Sequence, residues 1–167
     1  MIRVAAGDRG AFAELVEGYA PRLLAVARRL LGAEADAEDA VQRAMLQCYV
    51  GASGYQARWA VSTWLYRILT NVCVDEMRRR ATRSAWLERA PARDPHASDG
   101  LAGRVDVARA LERVPREARV LLALRYVDGL SYGELARVRG ISVNTVKSQL
   151  ARGKSILRAA LKEGPSR

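Results

Sequence analysis

Residues that build metal sites, disulfides and catalytic centres are scarce in this sequence of 167 residues, which has two cysteines and one histidine. Cys48 and Cys73 lie far apart with no second ligand pair beside them, which is not a zinc-site spacing. Both stand on apolar stretches, which favours ordinary core cysteines in a reducing cytoplasm. His96 lies among prolines and glycines, and no glycine-rich phosphate loop is present. We therefore predict no metal, no cofactor, no small-molecule substrate and no enzymatic activity.

Long apolar runs are also missing. No run approaches the roughly 20 apolar residues that a membrane-spanning helix needs. The first residues, MIRVAAGDRG, lack the apolar core of a signal peptide. We therefore expect a cytoplasmic protein without membrane insertion.

Proline is rare as well, with five residues, and no stretch alternates apolar and polar side chains as a half-buried strand does. Abundant Ala, Leu and Arg favour helices. We predict an all-α fold of two small helical domains joined by a flexible linker rich in proline and glycine. The predicted domains span residues 1–81 and 104–167, and the linker spans residues 82–103.

Apolar residues at helical spacing, together with caps and stops, locate the individual helices. In the N-terminal domain we predict helices from about Arg9 to Leu31, from a cap at Asp36 past Cys48, and from about Val61 to Arg80. In the C-terminal domain we predict helices over about residues 104–113, 116–127, 132–139 and 143–162.

Positive charge is concentrated in the C-terminal third of the chain. The formal net charge is +10, and residues 104–167 hold 14 basic and 6 acidic residues. Residues 1–63 hold 7 of each sign. An excess of this kind favours an acidic partner such as nucleic acid, although a solvated basic face is the alternative.

The segment from Ser131 to Leu150 has helix-turn-helix spacing. Ser131 and Glu134 form a capping-box pattern, and Gly140 suits the turn between the two helices. An apolar stripe that includes Val146 predicts which face of the last helix is buried. The polar groups left outside that stripe suit base edges and phosphates. They are Asn144, Thr145, Lys147, Ser148 and Arg152.

Two blocks of sequence resemble a known family. DAEDAVQ (36–42), STWLYRILTN (62–71) and DEMRRR (75–80) resemble the second conserved region of extracytoplasmic-function sigma factors of the sigma-70 family. PREARVLLALRYVDGLSYGELARVRGISVNTVKSQL (115–150) resembles their fourth region. The order and spacing match over nearly the whole chain. The resemblance implies a promoter-specific subunit whose partners are bacterial core RNA polymerase, promoter DNA and an anti-sigma factor.

The resemblance also implies where polymerase binds. In the family the second helix contacts the largest subunit, which here implicates Asp39, Gln42, Arg43 and Met45. A second interpretation is open for Asp39, whose carboxylate suits the first turn of a helix.

The resemblance further assigns the third helix and the preceding loop to reading and melting the −10 element. Unstacked bases need aromatic and hydrogen-bonding surfaces. The polar residues of this helix are expected on a solvent-facing side. Trp64 is assigned to the core, whereas Tyr66 suits packing and DNA contact equally. The run Arg78–Arg80 suits phosphate contact or a solvated helix end. The implicated residues are Trp59, Thr63, Tyr66, Arg67, Asn71 and Arg78.

The last helix is implied to read the −35 element. The residues concerned are Asn144, Thr145, Lys147, Ser148, Gln149 and Arg152. The sequence departs from the family at Gln149, where relatives commonly have Arg, and at Gly153 with Lys154. Since Gln can read adenine where Arg favours guanine or phosphate, the departure concerns the −35 sequence and not the mode of binding.

Two other protein classes are alternatives to this hypothesis. A sigma-like decoy that binds only an anti-sigma factor would be expected to lose the DNA-facing groups, yet Arg67, Asn71, Lys147 and Arg152 are present. A stand-alone helix-turn-helix regulator would account for the C-terminal domain but not for the motifs DAEDAVQ and TWLYRI.

Overall fold

A computed structural model describes residues 1–87, 107 and 109–162. Over these residues the chain is helical and has no strand, so the all-α prediction is confirmed. The helices are α1 (Ile2–Ala5), α2 (Arg9–Leu31), α3 (Glu34–Val50), α4 (Val61–Leu87), α5 (Arg116–Val127), α6 (Tyr132–Arg139) and α7 (Val143–Lys162). A single 3-10 turn, Ala52–Gly54, lies in the loop before α4. Residues 109–112 are helical and precede α5.

Helix α2 has the predicted bounds. The Asp8 side chain accepts a hydrogen bond from the Ala11 amide at 2.9 Å, which satisfies one of the free donors at the helix start. The helix ends at Gly32, where φ is 81°. Its buried face includes Leu23, Val26 and Leu30.

Helix α3 begins two positions earlier than its predicted cap. The chain is extended at Ala33 and the helix starts at Glu34, so the prediction that Asp36 caps it is wrong. Asp36 lies in the first turn, where its carboxylate faces the positive end of the helix dipole. It also forms an ion pair with Arg80 of α4, and this tertiary contact has no signature in the local sequence.

Helix α4 is longer than predicted, because it continues to Leu87, past the predicted start of the linker at Thr82. After the start of α4 the next proline is Pro91, and residues 82–87 contain nothing that breaks a helix. The rest of the predicted linker, and the start of the helix predicted over 104–113, lie outside the described residues.

The C-terminal helices α5, α6 and α7 have the predicted bounds. The Ser131 hydroxyl accepts from the Glu134 amide while the Glu134 carboxylate accepts from the Ser131 amide, so the predicted capping box is confirmed. Gly140 adopts the left-handed conformation, with φ 66°, at the turn into α7. The Ser142 hydroxyl accepts from the Thr145 amide at 3.0 Å and caps α7. These local signals therefore position the helix-turn-helix.

Both cysteines are buried and free, as the core interpretation predicted. Burial raises the pKa of the Cys48 thiol to about 11 and that of the Cys73 thiol to about 12. Because the thiolate is the reactive form, neither side chain is a nucleophile near neutral pH.

The two domains pack against each other: α2 contacts α5, and α4 contacts α6. Among the described residues, no helix is both long and apolar enough to cross a membrane.

Candidate nucleic-acid interface

Helix α7 presents a polar, basic face to solvent. Val146 and Leu150 are buried against the rest of the C-terminal domain. The opposite side carries the residues predicted from the sequence. Asn144, Lys147, Ser148 and Arg152 are exposed, and Thr145 and Gln149 are half-buried. The predicted exposure of this face is therefore confirmed for the four exposed side chains, and their roles in reading DNA stay predictions.

Gln149 differs from its neighbours on α7. Its side-chain oxygen is buried and has no hydrogen-bond partner. An acceptor in that state costs free energy that a new partner would recover. A side-chain rotation toward solvent or a base would supply that partner, so adenine reading by Gln149 requires a rotamer other than the one seen.

Helix α4 presents a mixed surface. Arg67, Asn71 and Arg78 are exposed, as predicted. Thr63 is buried, so the expectation that it faces solvent is wrong. Positions four residues apart on an α-helix advance by about 40° more than one turn. Thr63 therefore lies about 80° around the helix from Asn71, where it lines a cleft shared with Asp128 of the C-terminal domain.

Tyr66 is 1% exposed, so the packing interpretation describes its position in this structure. Its hydroxyl donates a hydrogen bond to the carboxylate of Asp128, which follows α5. Burial and the Asp128 carboxylate together raise the pKa of the Tyr66 hydroxyl, which therefore remains a proton donor. Any DNA contact by Tyr66 requires the C-terminal domain to move away.

Arg22, Asp128 and Arg139 were not singled out from the sequence, although they join the domains beside these α4 residues. Arg22 donates to both carboxylate oxygens of Asp128, at 2.7 and 3.0 Å. Arg139 donates to the Thr70 hydroxyl at 3.2 Å and to the Asn71 side-chain oxygen at 3.3 Å. No local pattern reveals such pairs, because each contact joins residues from different domains.

The two tryptophans near the loop make different contacts. Trp64 packs against the core and makes an edge contact with Tyr55, with ring centroids 5.5 Å apart. Trp59 is half-buried, and the Arg58 guanidinium lies 5.6 Å from its ring centroid. The Tyr55 hydroxyl donates to the Trp59 carbonyl, which ties the loop together. Trp59 therefore keeps part of its surface available for stacking.

The arginine run at the middle of α4 has two roles. Arg80 is partly buried, pairs with Asp36 and donates to the Leu31 carbonyl at 2.8 Å, so it joins α4 to the rest of its domain. Arg78 and Arg79 are exposed and make only long ion pairs, to Asp75 and Glu76. Within the run Arg78–Arg80, Arg78 and Arg79 are therefore the residues whose guanidinium groups are available to a phosphate.

Helix α3 exposes part of the surface that was expected to contact polymerase. Asp39 and Gln42 are exposed, and Arg43 pairs with Asp39 at 2.9 Å and with Glu76 at 3.4 Å. Met45 is 6% exposed, so a partner cannot reach it in this structure, and its role as a polymerase contact stays a prediction. It shares the buried stripe of Val41, one helical turn earlier.

Two apolar residues that the sequence analysis missed lie on the exposed side of α3. Leu46 is 63% exposed and Val50 is similarly open to solvent. They follow Gln42 at steps of four, so all three lie along one side of the helix. Their four-residue spacing from Gln42 was the signal in the sequence that could have placed Leu46 and Val50 on this surface.

Two family models match the chain. "Sigma-70 region 2" matches residues 15–83, and "Sigma-70, region 4" matches residues 104–157. The chain is 39% identical over 154 residues to the ECF RNA polymerase sigma factor SigM of Mycobacterium tuberculosis, covering 91% of this chain and 78% of that protein. It is 30% identical over 177 residues to SigW of Bacillus subtilis, covering 96% and 94% respectively.

Solved structures are similar over the same extent. One is CnrH in complex with the cytosolic domain of CnrY, with a TM-score of 0.74, 26% identity, and coverage of 97% of this chain and 94% of that one. Another is the sigma factor RpoE in complex with the anti-sigma factor NepR from Bartonella quintana. Its TM-score is 0.71 at 25% identity, with coverage of 91% of this chain and 97% of that one.

Proposed function

Because the chain belongs to the extracytoplasmic-function sigma factors, it is an alternative sigma factor that directs core RNA polymerase to specific promoters, and we propose how its two domains divide that task. The N-terminal domain reads and opens the −10 element, and the C-terminal domain reads the −35 element. The observation that carries this division is the presence of a polar, basic helix face on each domain. As a regulatory subunit acting in the cytoplasm, the protein selects the promoter and contributes to its melting, while polymerase catalyses RNA synthesis.

Reading of the −35 element is assigned to α7. An exposed helix with amide, hydroxyl and cationic groups can enter the major groove and donate to base edges. Asn144 and Lys147 are exposed near its start, and Arg152 lies about two turns further along. Thr145, Ser148 and Gln149 complete the assignment, with Gln149 in an altered rotamer.

Reading and melting of the −10 element are assigned to α4 and the loop before it. Arg67 and Asn71 provide exposed donors, and Arg78 provides a phosphate contact. Trp59 offers an aromatic face to an unstacked base. Thr63 and Tyr66 join this surface once the C-terminal domain no longer covers them.

Docking on polymerase is assigned to the exposed side of α3. Asp39, Gln42 and Arg43 provide polar contacts, and the exposed Leu46 and Val50 provide the apolar centre that stable protein contacts need. Each promoter surface alone makes few contacts. Held at a fixed separation on polymerase, the two surfaces act together through effective concentration.

We also assign an anti-sigma factor as a partner of this chain. CnrH and RpoE were both solved with a bound protein, and the partner of RpoE is named as an anti-sigma factor. A decoy that binds only such a partner is the second candidate. The exposed Arg67, Asn71, Lys147 and Arg152 favour a sigma factor that reads DNA.

The test of the function is transcription by purified core polymerase on fragmented DNA from the source organism, with and without this protein. We expect new transcripts that start downstream of a shared two-part sequence. If none appears while the protein is folded and the same polymerase is active with another sigma factor, the decoy hypothesis replaces this one.

The docking surface is tested by Leu46→Glu, which places a charge at its apolar centre. We expect the dissociation constant for core polymerase to rise at least about tenfold, since central apolar contacts dominate binding. Ala13→Glu adds the same charge at an exposed position of α2 and is the matched control. Equal affinities of the two variants would remove α3 from the docking surface.

A further inference from the structure

Asp128 is a buried carboxylate whose hydrogen-bond partners all belong to the other domain. Its side chain is 7% exposed. Arg22 of α2 donates to both carboxylate oxygens, and the Tyr66 hydroxyl of α4 donates to one of them. A paired arrangement of two donors from one guanidinium is strong and directional. A single residue after α5 is therefore held by two helices of the N-terminal domain.

Arg139, the last residue of α6, forms a second contact between the domains. One of its terminal nitrogens donates to the Thr70 hydroxyl and the Asn71 side-chain oxygen. The other donates to Glu117 of its own domain at 2.6 Å. The Glu117 carboxylate therefore orients Arg139 toward α4.

Both contacts fall on residues assigned to the −10 surface. Tyr66 is bound by Asp128, and the Asn71 amide oxygen is bound by Arg139. Thr63 and Tyr66 line a small cleft between the domains, about 270 Å³ in volume, together with Asp128. In this closed arrangement, bases cannot reach Tyr66 or Thr63.

The polar contacts of Asp128 and Arg139 across the domain interface can break and re-form. Arg22 is 54% exposed, so its guanidinium is already largely hydrated. The Nε of Arg139 is buried without a partner, which makes the closed form less favourable than a fully satisfied interface. Once the domains separate, water can hydrate each of these donors and acceptors.

We propose that the contacts of Asp128 with Arg22 and Tyr66, supported by Arg139, form a latch that closes the free protein over its own −10 surface. The proposal deepens the proposed function, because the covered residues are those assigned to the −10 element. The exposed residues of α7 remain uncovered in the closed form. Polymerase docking that separates the domains would release the latch. If most free molecules are closed, the apparent affinity for polymerase is reduced in proportion to the fraction of molecules that are open.

The latch is tested in the full chain without polymerase or DNA, using a thiol introduced by Thr70→Cys. Thr70 is fully buried and contacts Arg139, so a maleimide reaches the new thiol only when the domains separate. The native Cys48 and Cys73 report unfolding in the same sample, because both lie in the core. Peptide mass spectrometry distinguishes the three thiols.

Adding Asp128→Asn to Thr70→Cys should raise the labelling rate of the new thiol about tenfold, since the loss of a charged, buried hydrogen-bonding partner shifts the closed–open equilibrium by about that factor. Glu14→Gln removes one exposed carboxylate away from the interface and should leave the rate unchanged. Labelling of Cys48 and Cys73 should stay slow in every variant.

Arg22→Met breaks the same contact from the other domain and guards against a folding defect specific to Asp128→Asn. We expect a similar increase, with the double variant showing little beyond either single one. An unchanged rate in both variants, or labelling in the parent chain as fast as a free thiol, would overturn the latch. Since labelling needs no promoter, a failed transcription test with a positive labelling result would remove the proposed function and leave the latch.

Discussion

The two helix faces assigned to promoter DNA have similar chemistry and opposite availability. The face of α7 carries amide, hydroxyl and cationic groups that mostly lie in solvent. The face of α4 carries the same kinds of groups, yet Thr63 and Tyr66 are buried and Asn71 is engaged by Arg139. A polar stripe on a helix therefore predicts which groups are suited to DNA. It does not predict whether they are free to bind it.

The largest effect is expected from removing the polar groups of the α4 face that stay exposed. Replacing Arg67 and Asn71 with Ala should abolish promoter opening and leave polymerase binding intact, because melted bases lose their exposed donors. Permanganate reactivity of the promoter measures opening. Arg83→Ala with Ser84→Ala changes the same number of exposed positions further along α4 and should open promoters normally. Retained opening by the Arg67 and Asn71 variant would sink the −10 assignment.

The α7 face is tested through its salt dependence. Replacing Lys147 and Arg152 with Ala should weaken −35 binding by at least about tenfold and flatten the salt slope by about two phosphate contacts. The measurement is affinity for −35 DNA across a series of salt concentrations. Arg158→Ala with Lys162→Ala removes the same net charge near the end of the helix. If the two variants showed equal slopes, overall charge would explain the effect and direct contact would not.

The smallest effect concerns how firmly α7 is held. A Cβ at Gly153 would lie 3.1 Å from both the Ala118 Cβ and the Leu122 Cδ1, so Gly153→Ala should lower the free energy of unfolding by about 1 kcal/mol net of its better helix propensity. Gly133→Ala meets only the flexible end of Arg137 at 3.6 Å and should raise stability by a similar amount. Urea unfolding of both variants measures this, and a stabilised Gly153→Ala would show that α5 and α7 can separate at little cost.

Gly153 also has a structural role in α7. Its absence of a side chain allows α7 to cross closely over α5, which keeps α7 fixed on its domain. From the sequence alone, this position was associated only with DNA specificity. The crossing of the two helices is a tertiary contact, so the sequence pattern could not reveal it.

Local signals predicted most of the fold because they act within a few residues. The Ser131–Glu134 capping box, Gly140 and the apolar periodicity each bias the chain without help from distant segments. The helix start at Glu34 was missed where a distant residue matters, because Asp36 pairs with Arg80 of α4. The longer α4 has a local cause, since no residue from 82 to 87 breaks a helix.

The site was predictable to the extent that a residue's role follows from its place on one helix. The exposed Asn144, Lys147 and Arg152 follow from the apolar stripe of α7. Met45 shares its stripe with Val41, so the periodicity already indicated the burial that the structure shows. Leu46 and Val50 were passed over because exposed apolar residues carry no motif.

Short-range signals in the sequence specify the helices, the helix-turn-helix and the chemistry of the polar faces of α4 and α7, because caps, glycines and periodicity operate over a few residues. Which of those two faces is covered depends on tertiary packing. Asp128 meets Arg22 and Tyr66 across 106 and 62 positions of the chain. Contacts at such separations depend on how two domains pack, and the side chains involved look locally like any other surface Asp, Arg or Tyr.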